Sequence, residues 1–541
     1  MGGKRITRSH VAALSTGVSR SWLSFRRNGR RESLVESGEG DGDTEETALL
    51  FALYLRSNIR ERRKERKRHR NEPHRAKMKA PSGGKQITKA WLEFMLADFE
   101  GKERPGTKVS VVDFTVSQGI PPGEGFNSEL VLVDITAEIA SGQGEAQEKI
   151  YHLAAKFLHA DPFSAEMNKR FQSHIKEFLM YSEVVHELNA FLAARVPEAS
   201  PICIPKMIYG KQKGSEYVLV MENIKVAGYV TNDKRKGLDV EHVMRAVEEI
   251  AKLHAVSYAY NKSHNFLEKF PCYQFKVEAI NVIPAFLTCS LKNCVAYLKT
   301  VKGKEELAQK VENSNAIFSK KFHALFDDFG NECLCHGDFW NCNIMYKHKQ
   351  HEDGQEQILE GLKLIDWGNS GWINPIFDLQ YLLHTSTTLE LRKTHIDDLL
   401  HKYHTLFTSL TTKLGAPLPH YDYTAFREDW DRTAIYGFTL GNMLIQGTLS
   451  TTNPANKPRG PSILDHGAFT PIRLIVNGFK TGMAKLVGPI ISGPNGGKYM
   501  EKFLGGILKP IQKELLSGTN EVMNTRLLEI LCEADEKGLF D

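Results

Sequence analysis

His336-Gly337-Asp338-Phe339-Trp340-Asn341-Cys342-Asn343 and, further on, Ile365-Asp366-Trp367-Gly368 are the residues of this chain whose types and spacing point to chemistry. Phosphoryl transfer needs one carboxylate that orients and deprotonates an acceptor hydroxyl, and oxygen ligands that hold magnesium against the phosphates of ATP. Asp338 is the candidate catalytic carboxylate. Asn343 and Asp366 are the candidate Mg2+ ligands, the latter at the end of an apolar strand-like run from Leu362 to Ile365. An amide and a carboxylate are the kind of oxygen set this hard cation prefers. His336 joins the catalytic set as a residue expected to orient the loop through hydrogen bonds rather than to carry protons.

The spacing His336-x-Asp338-x-x-x-x-Asn343 is similar to a shortened protein-kinase catalytic loop, with Asp366-Trp367-Gly368 in the place of Asp-Phe-Gly. Three further stretches follow in order: Lys363-Leu-Ile-Asp366, Asp378-Leu-Gln-Tyr-Leu-Leu383 and Thr385-Ser-Thr-Thr-Leu-Glu-Leu-Arg392. With Cys335 to Met345, they resemble the ecdysteroid-kinase-like family of arthropod small-molecule kinases, relatives of choline kinases and aminoglycoside phosphotransferases. The resemblance runs from about residue 85 to at least residue 450. It implies an α+β, protein-kinase-like two-lobed fold with a β-rich N-lobe and a mainly helical C-lobe. It also implies ATP and Mg2+ as cofactors and a small-molecule alcohol as acceptor. Many members carry Asp-Phe-Gln where this chain has Asp366-Trp367-Gly368; the metal-binding carboxylate survives that change.

Upstream, Glu129–Ile135, Ile150–Leu158 and Glu216–Met221 are apolar segments of strand length that suit an N-lobe sheet. Gly123, Gly125 and Ser128 precede the first of them. Glycine permits close backbone approach, and such a turn can present N–H groups to phosphate. Lys156 is the only basic residue of an otherwise apolar segment and so needs a charge partner. The ATP phosphates are one candidate partner. Glu177, where relatives carry an ion-pairing glutamate, is another, with Glu183 and Glu187 behind it. Met221, Glu222 and Asn223 match the passage where adenine usually meets backbone groups.

Downstream, Asp239 is a plausible N-cap for a helix to about residue 259, with Val240, Val243, Met244, Val247, Ile250 and Leu253 at helical spacing. His254 reads as a satisfied structural histidine. Asp378 is expected to cap or anchor a loop. Phe275, Phe286, Tyr297, Tyr381 and Trp430 are candidates for an acceptor pocket, although aromatics at helical spacing more often form core. The Gly-rich stretch from Gly488 to Gly506 matches no motif.

The net charge of +5 is unevenly placed. Residues 1–79 hold 20 Lys and Arg against 10 Asp and Glu, so the rest of the chain is acidic. The stretch Arg56 to Lys79, including the run Arg62 to Arg70, suits nucleic acid, anionic lipid or an import receptor. No aromatic residues interleave it, so a solvated, largely disordered arm is expected. Residues 1–31, with eight Lys or Arg and no acid, resemble a mitochondrial transit peptide, and Met78 stands where family members typically start. Ile6 occupies a position where myristoylation wants Ser or Thr. Eight cysteines without a Cys-x-x-Cys pair read as reduced thiols, and the expected location is cytoplasmic. No apolar run approaches the ~20 residues that span a bilayer.

The expected organisation is an N-terminal extension over residues 1–84, an N-lobe over 85–225 and a C-lobe over 226–541. The expected function is ATP- and Mg-dependent phosphorylation of an alcohol on a small molecule, an ecdysteroid or a hydroxylated xenobiotic. A choline or aminoglycoside kinase is the near alternative; a cationic acceptor would require carboxylates and an aromatic cage. A non-catalytic binding protein with a nucleic-acid- or membrane-binding arm is the remote one. Nucleic acid is not an expected partner of the kinase body.

Overall fold

Period-two alternation of apolar side chains builds the first layer. A computed structural model describes residues 78–119, 128–140, 145–158, 168, 170–214, 216–275, 282–326, 330–350, 357–452 and 496–541. The unit that carries the candidate residues runs from Ala80 to Asp541. The arm at residues 1–77, Gly123 and Gly125 lie outside the described residues.

Helix α1 (Lys89–Glu103) begins at Thr88, whose hydroxyl accepts from the Trp91 amide at 3.3 Å. Then come strands β1 (Lys108–Gln118), β2 (Ser128–Ala140) and β3 (Gln147–Leu158). After α2 (Ser173–Leu179), one π-helical turn (Met180–Val184) and α3 (Val185–Arg195) come β4 (Met207–Lys213) and β5 (Glu216–Glu222). The five strands form one antiparallel sheet in the order β1-β2-β3-β5-β4. The three expected strands lie within β2, β3 and β5.

β1 was not expected, and its register gives the reason. Val109 and Val111 face α1, Val112 is an extra residue in a bulge, and Phe114 returns to the first face. One inserted residue changes the parity of the pattern, so no simple alternation marks the strand.

On β3, Leu153, Ala155 and Phe157 are buried with Val218 and Val220 of β5 against Trp91 and Met95 of α1. Lys156, between them, must point to the other face, the one shared by its cross-strand partner Leu219. The same alternation that builds the core thus turns one lysine toward the C-lobe.

The C-lobe contains the short strand β6 (Tyr229–Val230) and helices α4 (Val240–His264), α5 (Val282–Leu298) and α6 (Glu305–Ala324). Strands β7 (Cys333–Cys335), β8 (Ile344–Gln350), β9 (Gln357–Leu364) and β10 (Gly371–Ile373) follow. Helices α7 (Ile376–Ser386), α8 (Leu389–Lys413), α9 (Tyr423–Arg432), α10 (Ala434–Leu449), α11 (Gly496–Ser517) and α12 (Glu521–Glu536) complete it. The Asp239 carboxylate caps α4 by accepting from the His242 amide at 3.0 Å, and the helix runs past the expected end to His264. Val243, Val247, Ile250 and Leu253 are fully buried in the core that α4 shares with α8.

The C-terminal helices belong to this lobe. Arg392 of α8 holds the Glu533 carboxylate of α12 through Nε at 2.9 Å and Nη2 at 2.5 Å. Glu514 of α11 accepts from Ser450, the Thr451 and Thr452 amides and Asn520. The architecture is the expected α+β one: a sheet-based N-lobe followed by a mainly helical C-lobe. No helix among the described residues is long and apolar enough to cross a membrane.

Candidate active site

β7 delivers the chain to Gly337 and Asp338, and the turn between them is built for a glycine. Gly337 has φ +75°, and an added Cβ would run into the Asn369 carbonyl oxygen. The turn is held from below by Asp378 at the start of α7. Its carboxylate accepts the amides of His336 at 2.6 Å and Gly337 at 2.9 Å, and contacts His254 Nε2 at 3.1 Å. His254 is held at its other nitrogen by the Tyr403 hydroxyl at 2.8 Å. Asp378 and His254 therefore have the supporting places expected of them.

His336 is fully buried, and its ring sits against Trp367 with centroids 4.4 Å apart. Its Nδ1 accepts from the Asp338 amide at 3.3 Å, which leaves Nε2–H to donate to the Ile365 carbonyl at 3.0 Å. Burial holds its pKa below the ordinary value. A neutral imidazole with both nitrogens committed ties the loop to the Asp366 segment and is not free to shuttle protons. The tryptophan that distinguishes this chain's Asp-Trp-Gly supplies the buried face on which that ring rests.

Asp338 Oδ1 accepts from the Tyr381 hydroxyl at 2.6 Å and Oδ2 from Asn343 Nδ2 at 3.0 Å. Burial first, and then the Asp366 charge, push its pKa up to about 6 against these two donors. A carboxyl raised toward neutral pH is what a general base at this position would need. Asn343 Nδ2 also reaches the Asp338 carbonyl at 2.9 Å, which fixes the amide with its oxygen directed elsewhere.

From the sheet, Lys156 Nζ reaches Glu177 Oε1 at 2.7 Å and Asp366 Oδ1 at 3.0 Å. Burial would lower the lysine pKa, but Asp366 and Glu177 outweigh it and hold it above the ordinary value. The Asp366 carboxyl is lowered, chiefly by Lys156. Glu177 is buried on α2 and takes a further hydrogen bond from the Tyr217 hydroxyl at 3.2 Å. Glu183 is exposed, and Glu187 is occupied by Tyr260 and Lys269. Lys156 and Glu177 should therefore be energetically coupled. A double-mutant cycle with Lys156→Met and Glu177→Gln is expected to give about 0.5–3 kcal/mol of interaction energy in thermal or denaturant unfolding. Additive single effects would remove the pair.

Asp366 sits in the left-handed region, φ 64° and ψ 67°, with its side chain 51% exposed. Non-glycine residues adopt that conformation at a cost, and such strain concentrates at functional sites. The half-exposed carboxylate and the Asn343 Oδ1, which has no hydrogen-bond partner among the described residues, are oxygen donors that fit a hard divalent cation.

At the end of β5, the Glu222 amide donates to the Lys206 carbonyl at 2.9 Å and the Asn223 amide to the His152 carbonyl at 2.9 Å. The Glu222 carboxylate pairs with Lys363. The amide of Ile224, one residue further than the sequence reading reached, is the donor in this passage without a partner among the described residues. Met221 is buried on the inner face of β5. Ser128 opens β2 opposite Leu158 of β3.

The five candidate pocket aromatics do not converge on one site. Trp430 is core, stacked with His384, and Tyr297 is buried with its hydroxyl toward the Asn524 carbonyl. Phe286 is a partly buried flank of the second C-lobe core. Phe275 instead opens a row of rings: Phe275–Phe326 at 5.3 Å, Phe326–Phe377 at 5.1 Å and Phe377–Tyr436 at 4.6 Å. Tyr381 alone reaches the candidate base. Its place in Asp378-Leu-Gln-Tyr381, three residues from the loop anchor on one helix, was the available signal. Removing the hydroxyl with Tyr381→Phe withdraws a donor that favours the Asp338 carboxylate. The acidic limb of the pH–rate profile should move upward by about one pH unit, since a hydrogen bond to a charged group contributes about 1.5–3 kcal/mol. Activity at pH 6 then falls more than activity at pH 8, and an unmoved limb would exclude Tyr381 from tuning the base.

No curated protein sequence matches this chain. Among solved structures, a GDP complex of a mutant aminoglycoside 2'-phosphotransferase IIIa is 12% identical over 64% of this chain and 96% of its own, with a TM-score of 0.31. An aminoglycoside phosphotransferase from Alicyclobacillus acidocaldarius subsp. acidocaldarius is 12% identical over 69% of this chain and 90% of its own, with a TM-score of 0.25. The sequence profile of the ecdysteroid kinase-like family matches residues 122–416, more than half of the chain, and takes in Lys156, Glu177, Asp338, Asn343 and Asp366. The chain belongs to the ecdysteroid kinase-like family.

Proposed function

We propose that this protein is an ATP- and magnesium-dependent phosphotransferase that phosphorylates an alcohol group of a small molecule, an ecdysteroid or a hydroxylated xenobiotic. The observation that carries the reading is the meeting of Lys156, Glu177 and Asp366 at 2.7 and 3.0 Å, together with an Asp338 held by Tyr381 and Asn343. Lys156 places one positive charge where the phosphates of ATP need a partner, and Glu177 keeps it there. Asn343 and Asp366 would hold magnesium, which when bound neutralises charge on the phosphates. Asp338 accepts a hydrogen bond from the acceptor hydroxyl and takes its proton as the oxygen attacks the terminal phosphorus. The Ile224 amide, without a partner among the described residues and in the stretch after Met221, Glu222 and Asn223, is the donor for the adenine edge. Gly123 and Gly125 would add backbone donors to the phosphates, beside Ser128.

The acceptor meets the loop from the C-lobe side. The aromatic row Phe326–Phe377–Tyr436, in the same C-lobe core as Tyr381, supports an acceptor with apolar surface, and carboxylates beside such rings would be the mark of a cationic one. All eight cysteines are free thiols, in keeping with a reducing, cytoplasmic setting, with the basic arm as a targeting segment. The test is a screen of hydroxylated steroids, xenobiotics, choline and aminoglycosides for an ATP-dependent mass gain of one phosphate. A phosphorylated sterol or xenobiotic is the expected product. Phosphorylation of choline or an aminoglycoside would move the acceptor class, and binding of acceptors without mass gain would favour a non-catalytic role.

A further inference from the structure

One cluster of metal-ligating side chains lies under the catalytic loop and takes no part in the chemistry above. Cys333 and Cys335 are the first and third residues of β7, so alternation puts both thiols on one face of the strand. Across from them α4 presents His254. A ring nitrogen of His254 and the two sulfurs all lie within 4.8 Å of one another, and the three residues are fully buried. Two elements far apart in sequence thus bring two soft sulfur donors and one borderline imidazole nitrogen together.

We propose that His254, Cys333 and Cys335 form a buried site for one thiophilic transition-metal cation, Zn2+ or Cu+. Two thiolates and an imidazole are the donor set that these cations select over magnesium or calcium. Coordination displaces the thiol protons to solvent. It also draws Cys335 from its present contacts with the Ile373 carbonyl at 3.4 Å and the Asn374 carbonyl at 3.6 Å. Whichever nitrogen of His254 takes the metal, the other keeps an oxygen partner, either Asp378 Oδ2 at 3.1 Å or the Tyr403 hydroxyl at 2.8 Å. That is the orienting contact a metal-bound imidazole requires. Such a cation would clamp α4 to the residue directly before His336 and so brace the loop that carries Asp338. The site is separate in composition from the oxygen ligands of the magnesium reading, and its test does not depend on kinase activity.

The experiment uses the full chain, produced and refolded with Zn2+, Co2+ or Cu+ and then freed of loose metal. The expected result is one cation per chain and, with Co2+ standing in for Zn2+, a sulfur-to-cobalt charge-transfer band. Cys333→Ser and Cys335→Ser should each weaken the band, with the double variant losing it, and each should weaken binding by at least the roughly 10- to 100-fold of an outer-shell change, whereas Cys272→Ser should leave both unchanged. The arm that binds identifies the cation. X-ray absorption on the wild-type protein covers the case in which a serine variant fails to fold: two sulfur scatterers and one imidazole are expected. Retention of neither Zn2+, Co2+ nor Cu+, binding that survives both serine changes, or a shell without sulfur would overturn the proposal.

Discussion

Asp338→Asn is expected to lower single-turnover phosphoryl transfer by about 10²- to 10⁴-fold, the usual loss when a positioned general base is removed. Nucleotide affinity should stay close to wild type, because Lys156, Glu177 and Asp366 form their contacts without Asp338. The substitution keeps the size of the side chain but offers one acceptor oxygen in place of two. Tyr381 and Asn343 both donate to the present carboxylate, so both contacts survive only if the new amide accepts from Asn343 and donates its Nδ2–H to the Tyr381 hydroxyl oxygen. Asn343 retains the Asp338 carbonyl at 2.9 Å, which limits the structural damage. Rapid-quench transfer and equilibrium nucleotide binding on the same preparations separate the two effects. Wild-type transfer in the variant would remove Asp338 from the mechanism.

Asp378→Ala should produce the largest loss of stability in the site region. The carboxylate is 1% exposed and is the acceptor for two backbone amides of the catalytic turn, with His254 as a third partner. Alanine leaves the two amides and His254 Nε2 without their acceptor and out of reach of bulk water, while His254 keeps only Tyr403. Breaking a buried, hydrogen-bonded charge arrangement by deleting one side typically costs about 3–5 kcal/mol, a large share of the ~5–15 kcal/mol that holds a domain together. Asp378→Asn keeps one acceptor oxygen and should recover part of the loss. Thermal unfolding of the three proteins, with transfer rates on whatever remains folded, gives the order wild type, Asn, Ala. An alanine variant as stable as wild type would mean that the loop is held by something other than Asp378.

The residues that touch reacting groups in the proposed mechanism were legible because their spacing is local. Asp338 and Asn343 are five residues apart in one loop, and the backbone alone brings them to 3.0 Å. Lys156 was legible for a different reason: a lysine in an apolar strand must find a charge, and the strand's alternation decides which face it finds it on. Its carboxylate partner was narrower in kind than in position. Glu177, Glu183 and Glu187 share one helical stretch, and the π turn from Met180 to Val184 changes the rotation between them. That rotation adds to the offset of ten helical residues, and Glu177 faces the lysine while Glu187 faces Tyr260.

What the sequence by itself determined, then, is the inventory: the order of Lys156, Glu177, Asp338, Asn343 and Asp366 along the chain, the candidates for the proposed mechanism, and the two-lobed α+β fold that such an order implies. What only the tertiary structure decided is the support. Tyr381 stands 43 residues from Asp338 and reaches its carboxylate at 2.6 Å, and Asp378 stands 42 residues from the amide it holds at His336. His254 comes from a helix 124 residues away from the aspartate it touches. Side-chain periodicity says that these residues are buried on their helices. Whether each meets a carboxylate, an amide or only apolar neighbours depends on how those helices are rotated and seated. That choice is made by packing across the whole lobe rather than by any local run of residues.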